Sequence, residues 1–216
     1  MTEFQSNQET ANTQQNSDEN KLVQPPKVCK PPAPAGIRLL GPVDIAPLEA
    51  ILNQLTENVW RMEDEHKPNN FDCFHHTRHI IFRFCSFKDI WSFSSNPAWK
   101  IWGRLLLPIM HQASAAYGFT EPVYPKAMFA SLTAGHRIDT HIDGGPAAFY
   151  VHKIHVPVRT EIAAKIIVNK VAHHLRKGYA YEVNNKIPHG AYNGGCKDRV
   201  HFIFEVFDGA ACTRGK

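Results

Sequence analysis

The chain reads as a mainly β protein of α+β type, a jelly roll with helices packed on one of its sheets, and three observations carry that reading. From about Pro125 onwards, short alternating runs recur between turn signals such as Gly144-Gly145, Asn184-Asn185 and Asn193-Gly194-Gly195, the grammar of a sandwich or barrel. Helical periodicity is confined to the region before them, so helices come first and strands afterwards. In the last run Arg199, His201, Ile203 and Glu205 face one way, and Val200, Phe202, Phe204 and Val206 the other, because side chains alternate across a strand. A wholly apolar face behind a mixed one describes a barrel wall, its back under helices and its polar side toward a ligand-holding lumen.

At 216 residues, 43% hydrophobic and 20% charged, the chain can bury one substantial core. We read a single domain over residues 37–216, with helical support over 44–118 and a β core over 125–208. Residues 1–36 are rich in Gln, Asn, Ser and Thr and then in Pro, and cannot bury enough apolar surface to offset their ordering entropy. They are expected to form a disordered arm. The 24 basic against 20 acidic residues give a formal charge of +4 without a basic stripe or a block of like charge, so no nucleic-acid partner is inferred. No apolar stretch is long enough to span a membrane, and the first residues are polar. The expectation is a cytoplasmic protein with no membrane partner. Five cysteines, Cys29, Cys73, Cys85, Cys196 and Cys212, include no C-x-x-C; neither a disulfide framework nor a zinc site is suggested.

Within the domain, Ile37 to Leu40 is the first strand candidate. Leu48, Ile51, Leu52, Leu55 and Val59 fall on one face of a helix. His79 to Phe84 is β-prone and bounded by polar residues. Asn96-Pro97 marks a helix start, and Trp99, Trp102, Leu106, Met110, Ala113 and Tyr117 follow at helical spacing up to Gly118. Pro108 is expected to kink this helix. Further strand candidates are 127–132, 137–142, 149–158, 164–168, 178–183, 187–192 and 199–207.

Four side chains then suggest chemistry. His141 and Asp143, two apart on an extended segment, point to one side, and with the later His189 they have the spacing of the facial triad that holds non-haem iron(II). Two neutral imidazoles and a carboxylate suit that ion, and each ligand His needs its second ring nitrogen hydrogen-bonded. Gly144-Gly145-Pro146 ends the strand beside them. Arg199, on the lumen face of the last strand, presents a planar fork suited to a carboxylate, as in 2-oxoglutarate.

Residues 127–208 resemble the aspartyl/asparaginyl β-hydroxylase family of iron(II)/2-oxoglutarate-dependent dioxygenases. The similar stretches are Gly135 to Asp143, Lys153 to Thr160, Lys177 to Asn185, Pro188 to Asn193 and Arg199 to Val206. The resemblance implies a double-stranded β-helix, the cupin-like form of the jelly roll. It implies that His141 and His189 ligate iron, that Arg199 binds 2-oxoglutarate, and that His155 contacts a carboxylate of co-substrate or substrate. Three departures stand out: Asp143 completes a triad that some members lack, Glu205 stands at the end of the last strand in place of the usual Asp, and Lys153 sits where Arg is common.

The implied reaction consumes dioxygen and 2-oxoglutarate, hydroxylates an amino acid, free or within a peptide or protein, and releases succinate and carbon dioxide. Arg137, Arg159, Trp91 and His201 are further substrate-site candidates, although exposed arginines and packing tryptophans are the commoner case. Trp60, Trp99 and Trp102 are expected in the core. His75, His76 and His79 are read as surface or substrate-edge residues, and His173-His174 as a hairpin loop. Two rival readings keep the fold but change the chemistry: a non-catalytic metal- or ligand-binding module, and a dioxygenase that does not use 2-oxoglutarate.

Overall fold

Among the described residues (33–68, 71–85 and 89–212), the computed structural model has eleven strands and three α-helices. The expected arm over 1–36 lies, for residues 1–32, outside them. In chain order the elements are β1 (Ile37–Pro42), α1 (Ala46–Gln54), α2 (Glu57–Glu65), β2 (Thr77–Cys85), β3 (Phe93–Ser95) and α3 (Pro97–Ser114). Then follow β4 (Pro122–Leu132), β5 (Arg137–His141), β6 (His152–Arg159), β7 (Ala164–Val168), β8 (Val171–His173), β9 (Tyr179–Val183), β10 (His189–Asn193) and β11 (Arg199–Asp208).

The strands make two antiparallel sheets: a large one in the order β1-β9-β6-β11-β4-β2-β3 and a small one in the order β5-β10-β7-β8. This is the expected jelly roll. The alternation in β11 does what its sequence dictates. Phe202, Phe204, Val200 and Val206 pack with Phe129 of β4, Phe82 of β2 and Val156 of β6 beneath Leu48 and Ile51 of α1 and Leu106 and Met110 of α3. At about 25 cal/mol per Å² of apolar surface removed from water, this layer is the main stabilising element. Smaller groups, Ile81, Met128, Ala130 and Ile203 in one and Ile166, Val168, Leu175, Tyr181 and Val183 in another, lie on the lumen side.

Three expectations need correction. The apolar series from Leu48 to Val59 is not one helix: Leu55 is extended, with ψ 113°, and Thr56 caps a second helix by accepting from the Val59 amide at 3.4 Å. A threonine oxygen satisfying a free amide outweighs continuation of the stripe. Secondly, the strand begun at Phe149 starts instead at His152, because Pro146–Phe149 form a 3-10 turn. Thirdly, His173 lies in β8 and not in a loop. Asn169 and Lys170, with φ of 48° and 67°, make a two-residue turn between Val168 and Val171, the positive-φ geometry that suits a tight hairpin. The strand β3 had no expectation at all. Helix α3 runs through Pro108 to Ser114.

Candidate active site

His141 closes β5 and His189 opens β10, and the register sets them directly opposite each other. β10 lies unusually close to β5 here: a Cβ on Gly190 would sit 2.8 Å from the Ile138 carbonyl oxygen, so glycine is required next to His189. Asp143 follows two residues after His141, its backbone amide donating to the Asn185 carbonyl at 3.0 Å. One ligand atom from each of the three residues falls within 4.8 Å of the others.

The orientation of each side chain is fixed from outside. His141 Nδ1 is 2.8 Å from the Asp139 carbonyl oxygen and His189 Nδ1 is 3.0 Å from that of Ile187, so each Nδ1 carries the proton and each Nε2 offers a lone pair. The two Nε2 atoms are 3.4 and 3.7 Å from Asp143 Oδ1. The other carboxylate oxygen, Oδ2, accepts from the Lys153 ammonium and from Asn185 Nδ2 at 2.9 Å. Three lone pairs therefore converge. Burial would raise the Asp143 carboxyl, but the Lys153 ammonium and the bonds from His141 and Lys153 hold it well below the usual carboxylate range. Burial, with Lys153 nearby, lowers His189 to about 4. His141 is also pushed down by burial, yet its bonds to Asp143 and the Asp139 carbonyl prevail and raise it. A proton and a cation compete there. Two imidazole nitrogens and a carboxylate oxygen, with no thiolate among the three, fit a divalent metal of iron(II) type.

The three residues line a cavity of about 500 Å³ between the sheets, whose wall also includes Arg199, His155, Lys153, Lys126, Glu205 and His79. Arg199 is 3% exposed, and its Nε and Nη1 have no hydrogen-bond partner among the described residues. Burial lowers it to about 10, leaving it cationic at neutral pH. A buried guanidinium with unused donors is costly unless an anion completes it, so the site fits a carboxylate ligand. His155 and His201 are buried side by side, their Nδ1 atoms 3.4 Å apart. Burial, then Lys153 for His155 and Arg199 for His201, holds both well below the ordinary imidazole value, so the pair is neutral.

The other sequence candidates fall elsewhere. Arg137 is exposed and paired with Asp139 at 2.8 Å, because its strand turns that side of β5 to solvent. Arg159 is exposed and bonds to Asn53 at 3.1 Å. Trp91 packs edge-on against Phe207 in a separate apolar cluster. None of the three lines the cavity. His201 sits behind His155 and also stays off the wall. His79 is a buried wall residue, whereas His75 is exposed. Sequence reasoning missed Lys126 and the hold of Lys153 and Asn185 on Asp143. The phase of Lys126 with Met128 and Ala130 was a legible signal; the partner of Lys153 depends on how the two sheets meet.

The fold is a double-stranded β-helix with a cluster able to hold a metal ion at the lumen edge. Residues 108–208 match a family model described as aspartyl/asparaginyl beta-hydroxylase, so this part of the chain is similar to that family. Among solved structures, an oxidoreductase of the 2OG-Fe(II) oxygenase family from Burkholderia pseudomallei matches with a TM-score of 0.54 at 12% identity, over 76% of this chain and 78% of that one. That likeness is one of fold. A cupin domain from Bordetella pertussis matches with a TM-score of 0.31 at 16% identity, over 39% of this chain and 90% of that one. No curated protein matches the sequence. Among the described residues, no helix is long and apolar enough to cross a membrane.

Proposed function

We propose that the chain is an iron(II)/2-oxoglutarate-dependent dioxygenase that hydroxylates an amino acid or an amino-acid residue, with succinate and carbon dioxide as co-products. The observation that carries this reading is the pairing, in one cavity, of three converging lone pairs on His141, Asp143 and His189 with a buried guanidinium at Arg199 that has donors without a partner among the described residues. A non-catalytic module has no need of the second feature, which costs stability. Bound iron(II) and 2-oxoglutarate supply the oxidising chemistry that inserts one oxygen atom of dioxygen into a C–H bond.

The residues of the chain do the rest. His141, Asp143 and His189 would hold the metal, which would supply a binding centre for co-substrate and dioxygen. Lys153 and Asn185 keep Asp143 ionised and oriented. Arg199 grips the distal carboxylate of 2-oxoglutarate, with neutral His155 beside it as a further hydrogen-bonding group. The apolar wall formed by Met128, Ala130, Ile166 and Ile203 keeps water away from the oxidant.

The test is succinate release by the iron-loaded protein supplied with 2-oxoglutarate and oxygen. Turnover is expected to require iron(II), and His189→Ala is expected to lower it by at least about a thousandfold, the scale of losing a group that acts as part of one unit. Unchanged turnover in that variant would remove the three residues from the mechanism.

A further inference from the structure

The cavity has a second charged pole that the mechanism above leaves unused. Lys126 on β4 and Glu205 on β11 are direct cross-strand partners on the cavity wall, Lys126 Nζ donating to Glu205 Oε1 at 3.1 Å. Their side chains are only 16% and 5% exposed. The other oxygen, Glu205 Oε2, meets the Cys85 thiol at 4.0 Å, a weak donor. Burial, with Glu205 adding to it, pushes that thiol up to about 11, so it stays protonated. On the far side of Glu205 the register sets Lys153 of β6 opposite it, and the Lys153 ammonium is already held by Asp143. The pole therefore lies within one lysine side chain of the metal-ligand cluster. Arg199 stands at the other end of the same strand face, beyond Ile203 and His201.

A buried ion pair is a weak fastening for two strands, since the desolvation of both charges offsets their attraction and an apolar pair of similar size holds as well or better. Its position on the wall of a substrate-sized cavity gives it another use. An incoming cation alone would meet Lys126, and an anion alone would meet Glu205. A group carrying both charges at one carbon meets no such repulsion: its ammonium bonds to Glu205 Oε2 and its carboxylate to the Lys126 ammonium, closing a ring of four alternating charges with no net charge added to the wall.

We propose that Lys126 and Glu205 recognise the ammonium and carboxylate of a free α-amino acid, which makes the substrate a free amino acid and not a residue inside a peptide. This rests on the dioxygenase reading above and narrows it. A residue within a chain carries neither charge at its α-carbon. Met128 and Ile203, each two residues from the pair on its own strand and opposite one another, line the adjoining wall, so the substrate presents an apolar side chain to the metal-ligand cluster.

The experiment uses the full iron-loaded chain with the twenty common amino acids, each also supplied N-acetylated and C-amidated, and reads stimulated succinate formation. At least one free amino acid with an apolar side chain is expected to stimulate turnover, and its capped forms to be at least a hundredfold less effective in kcat/KM. Lys126→Met and Glu205→Gln are each expected to raise KM for that amino acid more than tenfold, while the affinity for 2-oxoglutarate, measured anaerobically by calorimetry, stays within twofold. A pair that serves only the fold would lower the melting temperature of both variants without altering the preference for free over capped forms. Capped forms that work equally well, unchanged KM in both variants, or no response to any free amino acid by a protein that binds 2-oxoglutarate would each overturn the assignment. Failure of the unmodified protein to bind 2-oxoglutarate at all would instead overturn the dioxygenase reading.

Discussion

The two faces of the large sheet are built from the same strands and follow opposite rules. On the helix side, every buried residue of β11 is apolar; Phe82, Phe129 and Phe202 pack edge to face, and Phe204 lies tilted against Phe202 and edge-on to Tyr124. On the lumen side, the same strand offers Arg199, His201 and Glu205, with donors on Arg199 and a nitrogen on His201 that have no partner among the described residues. One residue of register separates a face that stabilises from a face that costs stability. The lesson is that this fold concentrates its free energy behind the site, so that the site itself can keep unmatched groups for ligands.

That contrast can be broken at either face. Phe202→Ala, on the helix side, is expected to cost about 3–5 kcal/mol of unfolding free energy through lost burial and the cavity left behind, seen in a denaturant titration. On the lumen side the largest effect is one of pH. Burial first, and Lys67 second, lower His79 to about 4, whereas the unfolded imidazole titrates near 6.5. The unfolded chain then takes up a proton that the folded chain refuses. Stability is full above about pH 6.5 and falls by up to about 3 kcal/mol on acidification toward pH 4. His79→Gln should flatten that slope in urea titrations run across the window; an unchanged slope would assign the acid sensitivity to other groups.

Arg199→Met sharpens the comparison, because the two readouts are expected to move in different directions. Removing a buried charge with unused donors should leave the stability of the ligand-free protein unchanged or higher, while affinity for 2-oxoglutarate falls by about a hundredfold, the scale of a charge-assisted pair at about 1.5–3 kcal/mol. A smaller effect is expected at Asn185→Ala, which strips one donor from the outer oxygen of Asp143 and should weaken iron(II) binding by about tenfold, read by anaerobic titration.

Much of this was legible in the chain. The alternation of β11 gave both faces, and the His141, Asp143 and His189 spacing named residues that the fold does bring together. Arg199 was legible because its phase in the strand, not its charge, put it in the lumen. Arg137 and Arg159 show the limit of reading charge without phase or neighbours: both are exposed and engaged by Asp139 and Asn53. The break between α1 and α2 was hidden because a single capping oxygen on Thr56 overrides a continuous apolar stripe. The hold on Asp143 was hidden for a different reason. It joins a loop after β5 to Lys153 of β6 and to Asn185 beyond β9, and no local pattern encodes a meeting of three distant segments.

That three-way clasp on the outer oxygen of Asp143 bears on how the protein would take up a metal ion. Lys153 and Asn185 fasten the small sheet to the large one, and the backbone carbonyls of Asp139 and Ile187 turn both imidazoles inward. The orientation of the three residues is thus set by hydrogen bonds within the chain, so an iron(II) ion bound there would not be the mould around which the chain sets. A chelator should empty the protein and leave it folded, and fresh iron(II) should restore it without a refolding lag.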